Sequence, residues 1–374
     1  MEFLAQERQT LEHYMPGLDG ALAKLPLLEL EKRGNSGLTL FREANGPALL
    51  ITKACHGMGA TALEAMRIQR AIASRSPSLA VATTMHHFSV ATILEMSLLG
   101  SGLESLLLEA IADQHLLVAS GFAEGRPNQG ILHPTMQGKP TKGGVLVNGS
   151  KKPCSLTHSM DLLTASVKID DGTPDGQMGV AMIPTQGAGI ERREFWGSWI
   201  LAGAESDEVI LRDVEVPDSL MFRMGESAAM DATQISGFLW FELLVTASYL
   251  GVASALVERV LRSNRGCALE RATLGIELEG AMAALEGIAY SMVTNPRDEA
   301  ELARMLFVRY LVQGAIERST QQAAELLGGM AFVCSSEVSY LLSAARALAF
   351  HPPSKAAIAQ ELAGHLAGKP LQIQ

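Results

Sequence analysis

One carboxylate stands out because of what surrounds it. Glu242 lies in Gly237-Phe238-Leu239-Trp240-Phe241-Glu242-Leu243-Leu244-Val245, ringed by large apolar neighbours. Desolvation disfavours the charged form of such an acid and raises its pKa, which suits a general base working near neutrality. The same residue also reads as half of a buried ion pair with an Arg or His from another helix. Arg262, Arg265 and Arg271 cluster after the helix that bears Glu242. They are either favourable charge at a helix end or a clamp for phosphate. Gly328-Gly329 ends one helix and opens a turn. Glycine there serves as a helix cap, or lets the backbone approach a cofactor phosphate closely. His351, in Phe350-His351-Pro352-Pro353-Ser354, sits where a long helix must stop, because proline disfavours helix in the residue before it. It is either a surface loop residue or a functional one. His86 and His87 are adjacent on a helical stretch and cannot both face one ion, so no metal site is expected.

The elements that carry these residues follow from periodicity. Apolar positions three and four apart predict a helix over 60–72, and further helices are expected over 88–96 and 103–113, the last with Glu104 in its first turn, where the helix dipole favours an acid. From about residue 115 the texture becomes alternating. Gly143 to Lys151 reads as a strand closed by the Asn148-Gly149 hairpin signal, and 162–169, 178–184 and 208–217 as further strands. Long helices follow over 235–263, 268–293, 298–328 and 334–350. Helices, then strands, then helices predict an α+β fold rather than a parallel α/β sheet. The expected organisation is an N-terminal helical domain (1–115), a middle β domain (116–226) and a C-terminal helical bundle (227–374).

Composition narrows the function classes. The chain has 374 residues, 48% apolar and 19% charged, which excludes a disordered chain. Its net charge of −10 argues against a nucleic-acid partner. Cys55, Cys154, Cys267 and Cys334 lie far apart with no CxxC, so disulfides and structural zinc are not expected and a reducing, cytoplasmic setting is. The N-terminus lacks a basic segment followed by an apolar one, so no signal peptide is expected. The stretch 235–257 carries only Glu242 as a charge and is broken by Gly, Ser and Thr; it reads as a helix buried in protein rather than a membrane span. Glycine-rich dinucleotide, P-loop and nucleophile-elbow motifs are lacking, so those readings lapse.

Taken in order, these pieces resemble the acyl-CoA dehydrogenase superfamily over nearly the whole chain. Gly144-Val145-Leu146-Val147-Asn148-Gly149-Ser150-Lys151-Lys152 is similar to that family's strand pair ending in N-G-x-K, and Leu211-Arg212-Asp213-Val214-Glu215-Val216-Pro217 to its D-V-x-V-P. Pro153-Cys154-Ser155 falls where the family sets an aromatic, an aliphatic and a Thr or Ser against the flavin; Ser155 matches and Pro153 does not. Gly328-Gly329 with Phe332 resembles the glycine pair that approaches a neighbouring subunit's cofactor, and Arg262 with Gly266 the R-x-x-F-G, with Arg265 in place of Phe. Two segments depart. The flavin loop reads Phe122-Ala123-Glu124-Gly125-Arg126-Pro127 without the usual Thr, and the loop that often holds the catalytic Glu reads His351-Pro352-Pro353-Ser354.

The resemblance implies a three-part fold with a middle β-barrel-like domain and a C-terminal four-helix bundle. It implies FAD held by Phe122, Ala123, Glu124, Cys154, Ser155, Arg262, Gly328, Gly329 and Ser354. Glu242 falls where isovaleryl-CoA and prolyl-carrier-protein dehydrogenases carry their base. The implied reaction is therefore α,β-dehydrogenation of an acyl thioester on coenzyme A or a carrier protein, with Glu242 removing the α proton. Arg346-Ala347-Leu348-Ala349-Phe350-His351-Pro352 resembles instead the R-x-x-x-x-H-x-P stretch of reduced-flavin monooxygenases of this fold. That alternative makes His351 central and the cofactor FMN. A non-catalytic flavin- or partner-binding relic is a third reading. The family also implies a homodimer or homotetramer with no membrane partner.

Overall fold

The computed structural model describes residues 2–98, 102–125, 134–173, 176–223, 230 and 232–371. Arg126, Pro127 and the boundary expected at 226/227 lie outside the described residues. Short helices α1 (Ala5–Tyr14), α2 (Leu18–Ala23), α3 (Leu27–Leu30) and α4 (Gly37–Glu43) precede α5 (Ala62–Arg75), α6 (Pro77–Ser97) and α7 (Leu103–Gln114). Thr61 and Glu64 start α5 with a reciprocal capping box, and Ser76 with Pro77 starts α6.

The sheet comprises β1 (Val118–Gly121), β2 (Gln137–Pro140), β3 (Gly144–Cys154), β4 (Leu162–Ile169), β5 (Gln177–Pro184), β6 (Ile190–Arg193), β7 (Asp207–Pro217) and β8 (Met221–Arg223). Its order is β6-β7-β3-β2-β4-β5-β8, with β1 beside β4 in parallel. The Asn148-Gly149 hairpin expected from sequence does not form. β3 runs straight through it and pairs antiparallel with β7, the register shifting between Val147 and Gly149. Gly149 adopts φ +144°, and a Cβ there would lie 3.0 Å from Met136 Cα. Asn148 meanwhile exchanges hydrogen bonds with Asp213. The glycine thus marks a bulge under a neighbouring strand, the other meaning of Gly in a strand pattern.

The chain then forms α8 (Ala232–Arg262), α9 (Ala268–Thr294), α10 (Glu299–Leu327), α11 (Gly329–Cys334), α12 (Ser336–Ala344) and α13 (Lys355–Leu366). The helix expected over 334–350 is α12 followed by a tighter 3-10 stretch, Ala345–Phe350. α8 is long and apolar enough to cross a membrane, yet its apolar window is 94% buried inside the protein. A helix apolar on all sides is one enclosed by others, and α8 packs on α5, α6, α9, α10 and α12. The close approach of α5 requires Gly251, where a Cβ would lie 2.3 Å from the Arg70 carbonyl oxygen. Arg70 itself is fully buried and satisfied by Glu7, Glu279 and Ser254. The helices before and after the sheet therefore share one core.

Candidate functional site

Glu242 and Tyr249 lie two turns apart on α8 and so share one of its faces. α8, α9 and α10 are joined by short turns, which makes α10 run parallel to α8 and sets Arg309 beside Glu242. Both side chains are fully buried; Nε of Arg309 lies 3.2 Å from one carboxylate oxygen and Nη1 lies 3.3 Å from the other. Burial raises the Glu242 carboxyl, and the Arg309 charge opposes that rise. Of the two readings open at the sequence level, the geometry is that of the buried ion pair.

Arg309 has a second task. Its remaining N–H groups donate to the carbonyls of Leu348 (3.2 Å), His351 (2.6 Å) and Pro353 (2.7 Å), and Tyr310 Oη donates to Pro353 as well (2.7 Å). Prolines supply no N–H with which to order this turn, so its carbonyls are its handles. Pairing to Glu242 offsets the cost of burying the guanidinium that grips them. The loop is thereby fixed to the bundle, and Ser354 closes it by capping α13, its Oγ accepting from Ala357 N.

His351 is partly buried beneath this grip, its Nε2 2.9 Å from Tyr249 Oη and its ring 6.1 Å from that of Phe241. Phe241 and Tyr249 of α8 flank the imidazole, and Phe241 in turn stacks edge-on with Phe88 of α6. Burial holds His351 down at about 3, with Arg309 adding to the shift, so the ring is neutral at pH 7.

The sheet-side residues form a second group. Lys152 N donates to the Ala123 carbonyl at 2.9 Å, which brings the Phe122–Glu124 segment beside the end of β3. The Glu124 carboxylate accepts from Lys151 Nζ (2.7 Å) and from the Thr135 and Met136 amides, and these bonds hold it below the usual range. It is therefore a latch between β3 and the start of β2. Cys154 is buried, its thiol pushed up to about 12 by burial, while Ser155 pairs with Ser206 at 2.9 Å.

A third group lies at the far end of the bundle. Arg262 is exposed and pairs with Glu258 at 2.9 Å; it lines a depression of about 270 Å³ with Arg75, Arg259 and Glu337. Gly266 lies against Leu326, so the turn after α8 and the Gly328-Gly329 turn share that end. Gly328 takes φ +86° and ψ 163°, a region open essentially to glycine alone, and nothing lies within 4 Å of where a Cβ would be. Arg271 donates to the Gly266 carbonyl. His86 is a structural tie, its ring bonded to Val118 N and the Pro47 carbonyl.

The structure thus brings Glu242 and His351 together through Arg309, a residue the sequence reading missed, as it missed Tyr249. A signal for Arg309 existed: it falls in the buried register of Leu302, Met305, Leu306, Val312 and Ile316, where a charge demands a partner.

No protein-family model matches the chain. It is 43% identical over 378 aligned residues to isobutylamine N-hydroxylase of Streptomyces viridifaciens, with 100% of both proteins covered. FMN-bound TdsC of Paenibacillus sp. A11-2 matches it in structure with a TM-score of 0.80 at 17% identity, over 99% of this chain and 98% of that one. The prolyl acyl carrier protein oxidase AnaB matches with a TM-score of 0.81 at 17% identity, over 97% and 99%. Joined over its whole length to a relative of that similarity, and sharing its fold with these structures, the chain belongs to the acyl-CoA dehydrogenase superfamily of flavoprotein oxidoreductases.

Proposed function

We propose that this protein is a reduced-flavin-dependent monooxygenase that hydroxylates the nitrogen of a small, apolar primary amine. The observation that carries this reading is the full-length likeness to an amine N-hydroxylase. The site supports it. The aromatic pair of Phe88 and Phe241 suits a short alkyl chain, and apolar surroundings favour the neutral amine, whose lone pair is the nucleophile. Bound reduced FMN or FAD supplies two electrons to dioxygen, one atom of which ends on the amine nitrogen and the other in water.

The chain's own residues fit such a group at three places. Ser155 and the Ala123 backbone border the flavin's expected position, the unobstructed Gly328-Gly329 turn admits close approach of a phosphate, and Arg262 offers an exposed guanidinium. Arg262 and the glycine pair act on a second copy of the chain in a homodimer or homotetramer. His351 is the residue beside the reacting atoms, and Glu242 keeps Arg309 in place rather than removing a substrate proton. Acyl thioester dehydrogenation is the second reading, favoured by the raised Glu242 carboxyl.

The two separate in one experiment. Protein supplied with reduced flavin, air and a panel of short and branched alkylamines should yield a hydroxylamine by mass spectrometry. Oxidised holoprotein mixed anaerobically with acyl thioesters should keep its flavin absorbance. Bleaching by a thioester without hydroxylamine formation overturns the proposal.

A further inference from the structure

We propose that Tyr249 is a positioning residue that fixes His351 as the tautomer protonated on Nδ1, so that the imidazole meets the reacting atoms as a hydrogen-bond donor and not as a base. The part about reacting atoms rests on the proposed function; the tautomer does not.

Tyr249 is fully buried, and its hydroxyl has one partner among the described residues, His351 Nε2 at 2.9 Å. Burial drives that hydroxyl above its ordinary range, so it remains an O–H. A buried O–H with one available acceptor donates to it, which makes Nε2 the acceptor and leaves the ring proton on Nδ1. The reverse arrangement turns the Tyr249 proton toward no partner and is disfavoured by roughly one to two powers of ten.

The charged state is settled by the other groups around the ring. α8 presents Tyr249, Phe241 and Glu242, and α10 presents Arg309 and Tyr310. Glu242 is engaged by Arg309, whose charge opposes a second positive charge on the imidazole. His351 Nδ1 bonds to no described residue, so its proton is the ring's available donor. Because Arg309 pins the His351 carbonyl at 2.6 Å, the donor's position is fixed along with its chemistry.

The test reads the proton directly. Protein labelled with ¹⁵N-histidine is examined by long-range ¹H–¹⁵N correlation at pH 7 without flavin or amine, and His351 is assigned by the signal lost in His351→Gln. The expected result is a protonated Nδ1 and an acceptor-type Nε2. A proton on Nε2 in the parent protein overturns the proposal, and this needs no variant that must fold. In Tyr249→Phe, checked for fold by circular dichroism, the signal should move to a mixture of tautomers. Hydroxylamine turnover should drop about tenfold or more with KM for the amine little changed. An unchanged spectrum in that variant removes Tyr249 from the role. A changed spectrum with full turnover refutes the importance of the donor. Absence of amine oxidation by the parent protein would sink the proposed function while leaving the tautomer result readable.

Discussion

Glu242→Gln separates a buried counter-charge from a catalytic base. In the structure the carboxylate meets Arg309 at 3.2 and 3.3 Å with both side chains fully buried, and Arg309 holds three loop carbonyls besides. Removing one partner of a buried ion pair outright costs about 3–5 kcal/mol. Gln retains an oxygen where Nη1 now donates, and the carbonyls still shield the guanidinium, so the expected loss is about 2–3 kcal/mol. At about 2.1 cal/mol/K per residue, a chain of 374 residues has an unfolding entropy near 0.8 kcal/mol/K, so Tm should fall by about 3–4 °C. Turnover, measured well below Tm with reduced flavin and an active amine, should stay within a few-fold of the parent. Loss of a general base would instead cost about 10²-fold or more with little change in Tm. That second pattern would return Glu242 to proton abstraction. Arg309→Met is the companion measurement, since it leaves Glu242 buried without its partner and releases the His351 loop; it should lower both Tm and turnover.

Acid should destabilise the fold through its buried histidines. His86, held down to about 4 by burial, and His87, held well below its ordinary value by the same cause, bind protons less readily folded than unfolded. Their contribution is present above about pH 6.5 and lost as pH falls toward the folded values, at about 1.4 kcal/mol per pH unit for each ring. His351, held down to about 3 by burial, adds a third such ring, while the raised Glu242 and Glu31 carboxyls offset part of the loss. Urea midpoints should therefore fall from pH 6.5 to 5, and a flat profile would contradict the assignment. α9 turns Leu269 (74% exposed), Ile276 (72%), Tyr290 (60%) and Val293 (76%) to solvent, with Phe307 and Leu311 of α10 also exposed. A second copy packed antiparallel about residues 281 and 282 would set Ile276 opposite Gly287 and Tyr290 opposite Thr273, large against small. The helix is about 40 Å long, so two such helices offer a face near the ~800 Å² per partner of stable interfaces. Sedimentation should show a dimer or larger, and Ile276→Glu should dissociate that contact without unfolding; a monomeric parent protein at micromolar concentration would refute it.

The elements are written locally in the chain. Apolar spacing over 60–72 is local information, and α5 formed there because a periodic face must be buried whatever lies against it. The isolation of Glu242 among apolar neighbours was legible for the same reason, and so were the glycine pair and the proline stop after His351. What the sequence left open were the partners. Whether Glu242 is a base or a counter-charge depends on Arg309, 67 positions away, and the setting of His351 depends on Tyr249, 102 positions away. Asn148-Gly149 carried a turn signal that the sheet overrode, because the full length of β7 and the approach of Met136 stabilise a continuous strand with a bulge. Periodicity says which side of an element is buried, whereas a hydrogen-bond partner or an ion pair is set by which faces meet in three dimensions. The chemistry of this site lies in those meetings, so tertiary structure alone could decide it.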